Sequence, residues 1–176
     1  MSEIFVVSDT HLGHSNILKF SRSEFNTIED HDETLIDLHN SVVGKRDIVI
    51  HVGDAVWKME NLKKIGRMNG KKRLILGNHD RLNAHEYLKY FISVHGSLQK
   101  HEFLFSHIPI IMDGTRHYSY NVHGHIHDES QNIDDWKYFN ANIDVMGYVP
   151  ISLDEIRSLM YRRMWCNEND EDWRKA

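Results

Sequence analysis

Apolar positions in this chain fall into short blocks that stop abruptly at glycine or at a charged side chain. Ile4–Val7 is the first block, and Asp47–Val52 is the second, running into Gly53 and Asp54. The third, Leu74–Leu76, stops at Gly77, which turns the chain into Asn78, His79 and Asp80. Runs this short and this continuous predict strands buried in a parallel sheet. Between them the period becomes helical. Thr27 is placed to cap, with Asp30 three residues on, and Ile28, Leu35, Leu38 and Val42 follow at spacings of seven, three and four before Gly44. A second helix, about Lys58 to Asn69, carries Met59, Leu62, Ile65 and Met68 at three-residue steps, and Gly70 closes it. Strand, helix, strand, helix, strand implies a right-handed parallel α/β core.

Beyond Asp80 the rhythm shortens. A short helix over Ala84–Tyr90 precedes the blocks Phe91–His95, Glu102–Ser106, Tyr120–His123 and Tyr138–Ile143, which read as a second sheet, antiparallel in style. Ser152, with Glu155 three residues on, starts a last helix that carries Ile156, Leu159 and Met160 on one face. From Asn167 the chain turns acidic and is expected to fray, leaving residues 1–166 as a single domain.

Composition adds one unusual feature. A 176-residue chain that is 40% hydrophobic and 27% charged is globular and large enough for its own core. No apolar run approaches the roughly 20 residues of a membrane span. Met1-Ser2-Glu3-Ile4 has no basic n-region, so no signal peptide is expected, and the single cysteine, Cys166, suits a reducing cytoplasm. Twenty-one Lys and Arg against 26 Asp and Glu give a formal charge of −5, with the cations scattered, which disfavours extended nucleic-acid binding. The unusual feature is histidine, present 14 times. Imidazole is the commonest metal ligand and titrates near neutral pH.

Position gives these histidines their meaning. Asp9 and His11 follow the first strand in Ser8-Asp9-Thr10-His11-Leu12-Gly13-His14, and if that strand runs on, both point to one face. Asp54 ends the second strand, and Asn78 and His79 end the third. His107 closes Phe103-Leu104-Phe105-Ser106-His107, and His125 and His127 follow Asn121-Val122-His123. Carboxylate, imidazole and amide donors without a thiolate favour borderline first-row ions over soft ones. Each cluster alone also reads as turn chemistry, since Gly, Asn and Asp tolerate the dihedrals that turns require.

Taken in order, the strand ends read D-x-H, G-D, G-N-H-D, H and G-H-x-H, a set that resembles the calcineurin-like metallophosphoesterases from Asp9 to His127. The opening S-D-T-H-L-G-H, with Asn142-Ile143-Asp144 and Pro150-Ile151-Ser152-Leu153-Asp154-Glu155-Ile156, is similar to a compact, capless subgroup common in bacteria and their phages. The resemblance implies a four-layer αββα sandwich, two mixed β-sheets flanked by helices. It implies that Asp9, His11, Asp54 and His127 bind one divalent metal, and that Asp54, Asn78, His107 and His125 bind a second, with Asp54 as the bridge. Two ions about 3.5–4 Å apart can clamp the attacking and leaving oxygens of an in-line displacement and activate a bridging hydroxide. Manganese is the default ion, with iron, zinc, nickel and cobalt as alternatives. Two dications less two carboxylates and a hydroxide leave about +1, ready for a phosphoryl anion. His79 is implied to be the catalytic residue that faces the substrate.

His14, Asp80 and Arg22 are candidates for supporting the ligands or touching substrate. Asp80 either orients His79 or caps the turn. Arg22, Arg81 and Arg116 could each meet a phosphate, although solvated arginine is the default. His31 and His39 are expected at solvated or rim positions of the first long helix, and His123 in packing. His51, His85, His95, His101 and His117 have no motif support. The expected function is a di-metal phosphoesterase acting on a small phosphate ester or nucleotide, with an open site that leans toward diesters. A DNA exonuclease is the alternative, because D-x-H-L-G also occurs in double-strand-break repair nucleases of this superfamily, although those carry extra DNA-binding or capping segments. A non-catalytic scaffold is disfavoured because His79 and every ligand position are filled.

Overall fold

The computed structural model describes residues 2–112, 117–128, 133 and 135–175. Strands β1 (Ile4–Val7), β2 (Ile48–His51) and β3 (Lys71–Ile75) form at the apolar blocks, with helices α1 (Ile17–Phe20), α2 (Ile28–Val42) and α3 (Leu62–Ile65) between them. After α4 (Ala84–Tyr87) come β4 (Ser93–His95), β5 (Leu98–Lys100), β6 (Phe103–Phe105), β7 (Tyr120–His123), β8 (Tyr138–Asn140), β9 (Ile151–Ser152) and α5 (Leu153–Glu168). Among the described residues the strands make two mixed sheets, ordered β4-β3-β2-β1-β9 and β5-β6-β7-β8. β1 to β4 run parallel, and β9 returns antiparallel against β1. In the second sheet β6, β7 and β8 are parallel and β5 is antiparallel. None of the described helices is long and apolar enough to cross a membrane.

Alternate strand residues divide between two cores, and this division stacks the layers. Phe5, Val7, Val49 and Leu74 pack with Leu35, Ile36, Leu62 and Ile65 of the helices. Val6, Ile50 and Ile75, on the opposite face, meet Phe103, Phe105, Tyr120, Val122 and Phe139 of the second sheet, with Ile156 and Met160 of α5. The two-residue period of a strand therefore builds both interfaces. α5 lies against the second sheet, with the Arg157 and Arg163 guanidinium groups 5.9 Å from the Phe103 and Phe139 ring centres. This is the expected α/β sandwich. Thr27 and Ser152 cap α2 and α5 as predicted, each accepting at 3.1 Å from the N–H three residues on.

Several details depart from the sequence reading. The Phe91–His95 block supplies β4 to the first sheet, and β6 to β8 are parallel where antiparallel strands were expected. Spacing carried that signal. The connections 106–119 and 124–137 exceed the dozen or so residues that a parallel crossover needs. The helix expected over 58–69 is a 3₁₀ turn at Met59–Asn61 followed by the short α3, which Gly66 caps. Met59, first of the residues at three-residue steps, is 56% exposed, whereas Leu62, Ile65 and Met68 are buried. The buried face of α2 consists of His31, Asp32, Leu35, Ile36 and His39, whereas Val42 is exposed. α5 continues to Glu168, and the segment expected to fray turns back, bringing Trp173 to 5.4 Å from the Arg163 guanidinium.

Two buried histidines tie stability to pH. His39 Nε2 donates to the Asn69 carbonyl at 3.0 Å, and burial lowers its pKa from 6.5 to about 4. His51, beside Thr10 Oγ1 at 2.9 Å, is lowered by burial to about 3. His39 therefore does not occupy the solvated or rim position expected of it. Because the folded-state pKa lies below the unfolded one, the unfolded chain takes up protons first. Stability is whole above pH 6.5 and declines as the pH falls toward the folded-state value, by about 1.4 kcal/mol per histidine per pH unit. In urea titrations at pH 7.5 and 5.0, His39→Gln should lose about 2 kcal/mol less than the unmodified chain. Equal losses would count against a buried neutral imidazole.

Candidate metal centre

Pairing of β1 with β2 carries both chains past their strand ends in register. The N–H groups of Asp9, His11 and Leu12 donate to the carbonyls of Gly53, Asp54 and Ala55 at 3.0, 2.9 and 3.1 Å. The backbone here is not extended. Asp9, His11, Asp54 and His125 have φ of 59°, 46°, 55° and 68°. Such left-handed residues cost on the order of 1–3 kcal/mol each and persist only where surrounding contacts impose them. The strand alternation expected to aim Asp9 and His11 together does not operate, because β1 ends at Val7. The left-handed kinks aim them instead.

The seven motif donors converge. His11 Nε2 is 3.6 Å from Asp54 Oδ2 and 3.9 Å from Asp9 Oδ1, and His127 Nε2 is 3.6 Å from Asp9 Oδ1. His107 Nε2 approaches the same Asp54 oxygen from the other side at 3.4 Å. Asn78 Oδ1 lies 2.9 Å from His107 Nε2 and 3.0 Å from His125 Nδ1. Asp9, His11 and His127 thus form one group, and Asn78, His107 and His125 form another, with Asp54 between them. Asp9 also reaches Asp54 and His107 closely enough to make a third set of potential ligands.

This donor set fits cations. Asp9 and Asp54 are 0% and 2% exposed, and burial pushes the Asp9 carboxyl up to about 6. Neither ring nitrogen of buried His11 has a hydrogen-bond partner. His107 Nδ1 donates to the Val52 carbonyl at 2.9 Å, which turns Nε2 toward Asp54 and the Asn78 oxygen. Burial lowers the His107 imidazole, but its bond to Asp54 and the charge of Asp9 outweigh this and raise it to about 9. A proton there does the electrostatic work that a metal cation would do.

His79 stands apart from the donors. Its backbone N–H donates to Asp54 Oδ1 at 2.8 Å, and its half-buried ring lies 5.5 Å from the His11 ring and 5.2 Å from the Trp57 indole. The model of the calcineurin-like phosphoesterase family matches residues 2–175. The chain belongs to this family. It is 30% identical to an uncharacterized protein of Methanocaldococcus jannaschii, over 91% of this chain and 92% of that one. The Gene 66 protein of Mycobacterium phage L5 is also 30% identical, with 91% and 95% covered. A protein of unknown function from Aquifex aeolicus shares the fold, with a TM-score of 0.74 at 24% identity over 90% of this chain and 100% of its own.

In this calcineurin-like phosphoesterase the positioning residues lie largely outside the motifs. Arg22 is fully buried, which corrects the solvated and phosphate-binding expectations and agrees with the alternative that it supports the ligands. It donates from Nε to Asp144 Oδ1 at 2.6 Å, and from its other nitrogens to the carbonyls of Asp9 and Thr10 and to His31 Nε2. Asp144 in turn accepts from His127 Nδ1 at 2.6 Å, fixing the tautomer that presents Nε2 to Asp9. His31, also buried rather than at a rim, bonds Asp32, which holds Lys64 and the Gly13 N–H. Asp80 accepts from the N–H groups of Asp54, Ala55 and Gly77 and from the Tyr87 hydroxyl. It locks the turn and the Asp54 loop rather than the His79 ring. A Cβ on Gly77 would lie 2.2 Å from Asp54 Oδ1, so close approach requires this glycine, which is not left-handed.

His14 is buried, with its ring centre 3.7 Å from that of Trp57. His123 is buried and donates to its neighbour's carbonyl, a packing role. His51, His85, His95, His101 and His117 join neither donor group, Arg81 is exposed, and Arg116 lies outside the described residues. Sequence reasoning missed Asp144, Asp32 and Trp57 as site residues. Asp32 was detectable, because it shares the helical spacing of the buried α2 face.

Two variants separate these roles. Arg22→Met should lower unfolding stability by about 3–5 kcal/mol in urea, because it strands a buried carboxylate. Asp144→Asn should leave a folded protein whose manganese affinity, read by calorimetric titration, is about 10-fold weaker or more. An unchanged affinity would remove Asp144 from the support of His127.

Proposed function

We propose that this protein is a two-metal phosphodiesterase acting on a small phosphate ester or nucleotide. Membership of the calcineurin-like phosphoesterases supports metal-dependent phosphoester hydrolysis in general. The observation that carries the finer reading is the Asp54 carboxylate, whose Oδ2 is approached by one imidazole from each donor group, His11 Nε2 at 3.6 Å and His107 Nε2 at 3.4 Å. Asp9, His11 and His127 would hold one divalent ion, and Asn78, His107 and His125 the other, with Asp54 shared. Manganese is the ion we assign by default. Bound ions would supply Lewis acidity and a water acidic enough to act near neutral pH.

The chain's own residues do the rest. Asp80 and Arg22 hold the loops so that the donors need not reorganise. His79, tethered through its backbone to Asp54 but with its ring outside the donor groups, would protonate the departing oxygen, a role worth about 10²–10⁴ in rate. Asn78 and His125 are exposed, so the site is open enough for an ester that carries a second substituent. The net charge of −5 fits a small substrate better than a long polyanion. A buried, unpaired Cys166 is in keeping with a cytoplasmic setting.

Elemental analysis combined with assays on aryl phosphomonoesters and phosphodiesters tests this reading. About two metals per chain are expected, with diester turnover preferred. Asp54→Ala should abolish metal retention and activity together. His79→Ala should lower kcat by about 10²–10⁴ with metal content unchanged. Failure to hydrolyse either ester with any divalent ion would overturn the assignment. Degradation of linear DNA with manganese, in preference to the small esters, would favour a nuclease.

A further inference from the structure

Two cavities flank the donor groups, and they differ chemically. One, of about 390 Å³, is lined on the Asn78 side by Leu76, His107, Ile108 and Ile110. The other, of about 250 Å³, is lined by Val56, Trp57, His79, Arg81 and Leu82. Of the two, the second contains His79. An oxygen that takes its proton from His79 departs toward His79, so the group it carries enters the cavity beside that ring.

Trp57 sets the character of this cavity. Its indole is 39% exposed, a large apolar surface half open to solvent. It is nevertheless fixed in place. Its backbone N–H donates to the Leu12 carbonyl at 3.0 Å, and the buried His14 ring packs on it with centres 3.7 Å apart and planes at 40°. Val56 and Leu82 add apolar walls. Arg81 contributes a guanidinium tied through Nε to the Asn78 carbonyl at 3.2 Å, and no carboxylate among the described residues pairs with it. A cavity of about 150 Å³ with apolar walls holds benzene, so this larger one has room for an aromatic ring with a polar substituent.

We infer that this cavity is a leaving-group subsite, selecting phosphodiesters whose departing alcohol carries an aromatic ring. Trp57 is its stacking surface, and Arg81 holds a polar or anionic substituent of that ring. The inference rests on the hydrolysis proposed above. In that step the bond from a water oxygen to phosphorus forms and the bond from phosphorus to the aryl-bearing oxygen breaks. His79 supplies the proton to the departing oxygen, and the water gives up a proton, leaving a phosphomonoester and an alcohol. Trp57 is a specificity residue here, since stacking rewards the ring and not the phosphoryl centre.

Two methyl phosphodiesters with leaving alcohols of matched acidity, a chlorophenol and a fluoroalkanol, separate ring recognition from leaving-group chemistry. The unmodified protein should show a kcat/KM about 10-fold higher for the aryl ester, in line with base stacking on aromatic side chains. Trp57→Leu should lower the aryl value about 10-fold more than the fluoroalkyl value, mainly through KM, and Trp57→Phe should recover most of the difference. As a readout apart from turnover, a non-hydrolysable nitrobenzylphosphonate should quench tryptophan fluorescence in the unmodified protein and not in Trp57→Leu. An equal loss for both esters, or quenching that survives the substitution, overturns the subsite. If the unmodified protein hydrolyses neither ester, the phosphoesterase reading fails, and the subsite fails with it.

Discussion

The candidate metal centre depends on a cation that faces none of its donor atoms directly. Arg22 is sealed from solvent, yet its guanidinium reaches the carbonyls of Asp9 and Thr10, the Asp144 carboxylate and the His31 ring. An unpaired buried guanidinium would be strongly destabilising, so its partners are obligatory rather than decorative. That requirement explains the backbone at the site. Asp9 is held left-handed because its carbonyl must meet Arg22 while its N–H meets Gly53. Through Asp144 the same cation sets which nitrogen of His127 is free. Local strain in one loop and ring orientation in another thus share a cause.

The donors themselves were legible in the sequence because each follows directly from a strand whose apolar run can be counted. Asp9, Asp54, Asn78 and His107 need no knowledge of the rest of the chain to be placed at a sheet edge. What supports them was legible only in part: Arg22 and Asp80 stood out as candidates, but the groups they bind did not. Arg22 and Asp144 are 122 residues apart and lie in no periodic pattern, so their pairing is a property of the tertiary fold. Gly77 is an intermediate case. Its presence was visible and only half its purpose was: it opens the turn as expected, and it also yields space to an Asp54 oxygen.

The fold shows the same division. β1, β2, α2 and α5 follow from apolar spacing and caps, whereas the direction of β6 to β8 is invisible in three-residue runs and appears only in the length of the connections. On α2 the apolar stripe was misjudged because its buried positions include His31, Asp32 and His39. Hydrophobicity alone places such residues outside. Their hydrogen-bond partners place them inside.

The strand β9 has a consequence for how the molecule comes into being. β1 is flanked by β2, complete at residue 51, and by β9 at residues 151–152. Translation runs at about 5–20 residues per second, so the roughly one hundred residues between these neighbours take on the order of 5–20 s to emerge. Through that interval the nascent chain carries β1 with one bare edge, and Arg22 without the carboxylate that neutralises it. The centre closes only once Asp144 and β9 have emerged, and a product terminated before them has neither its sheet edge covered nor its buried charge balanced.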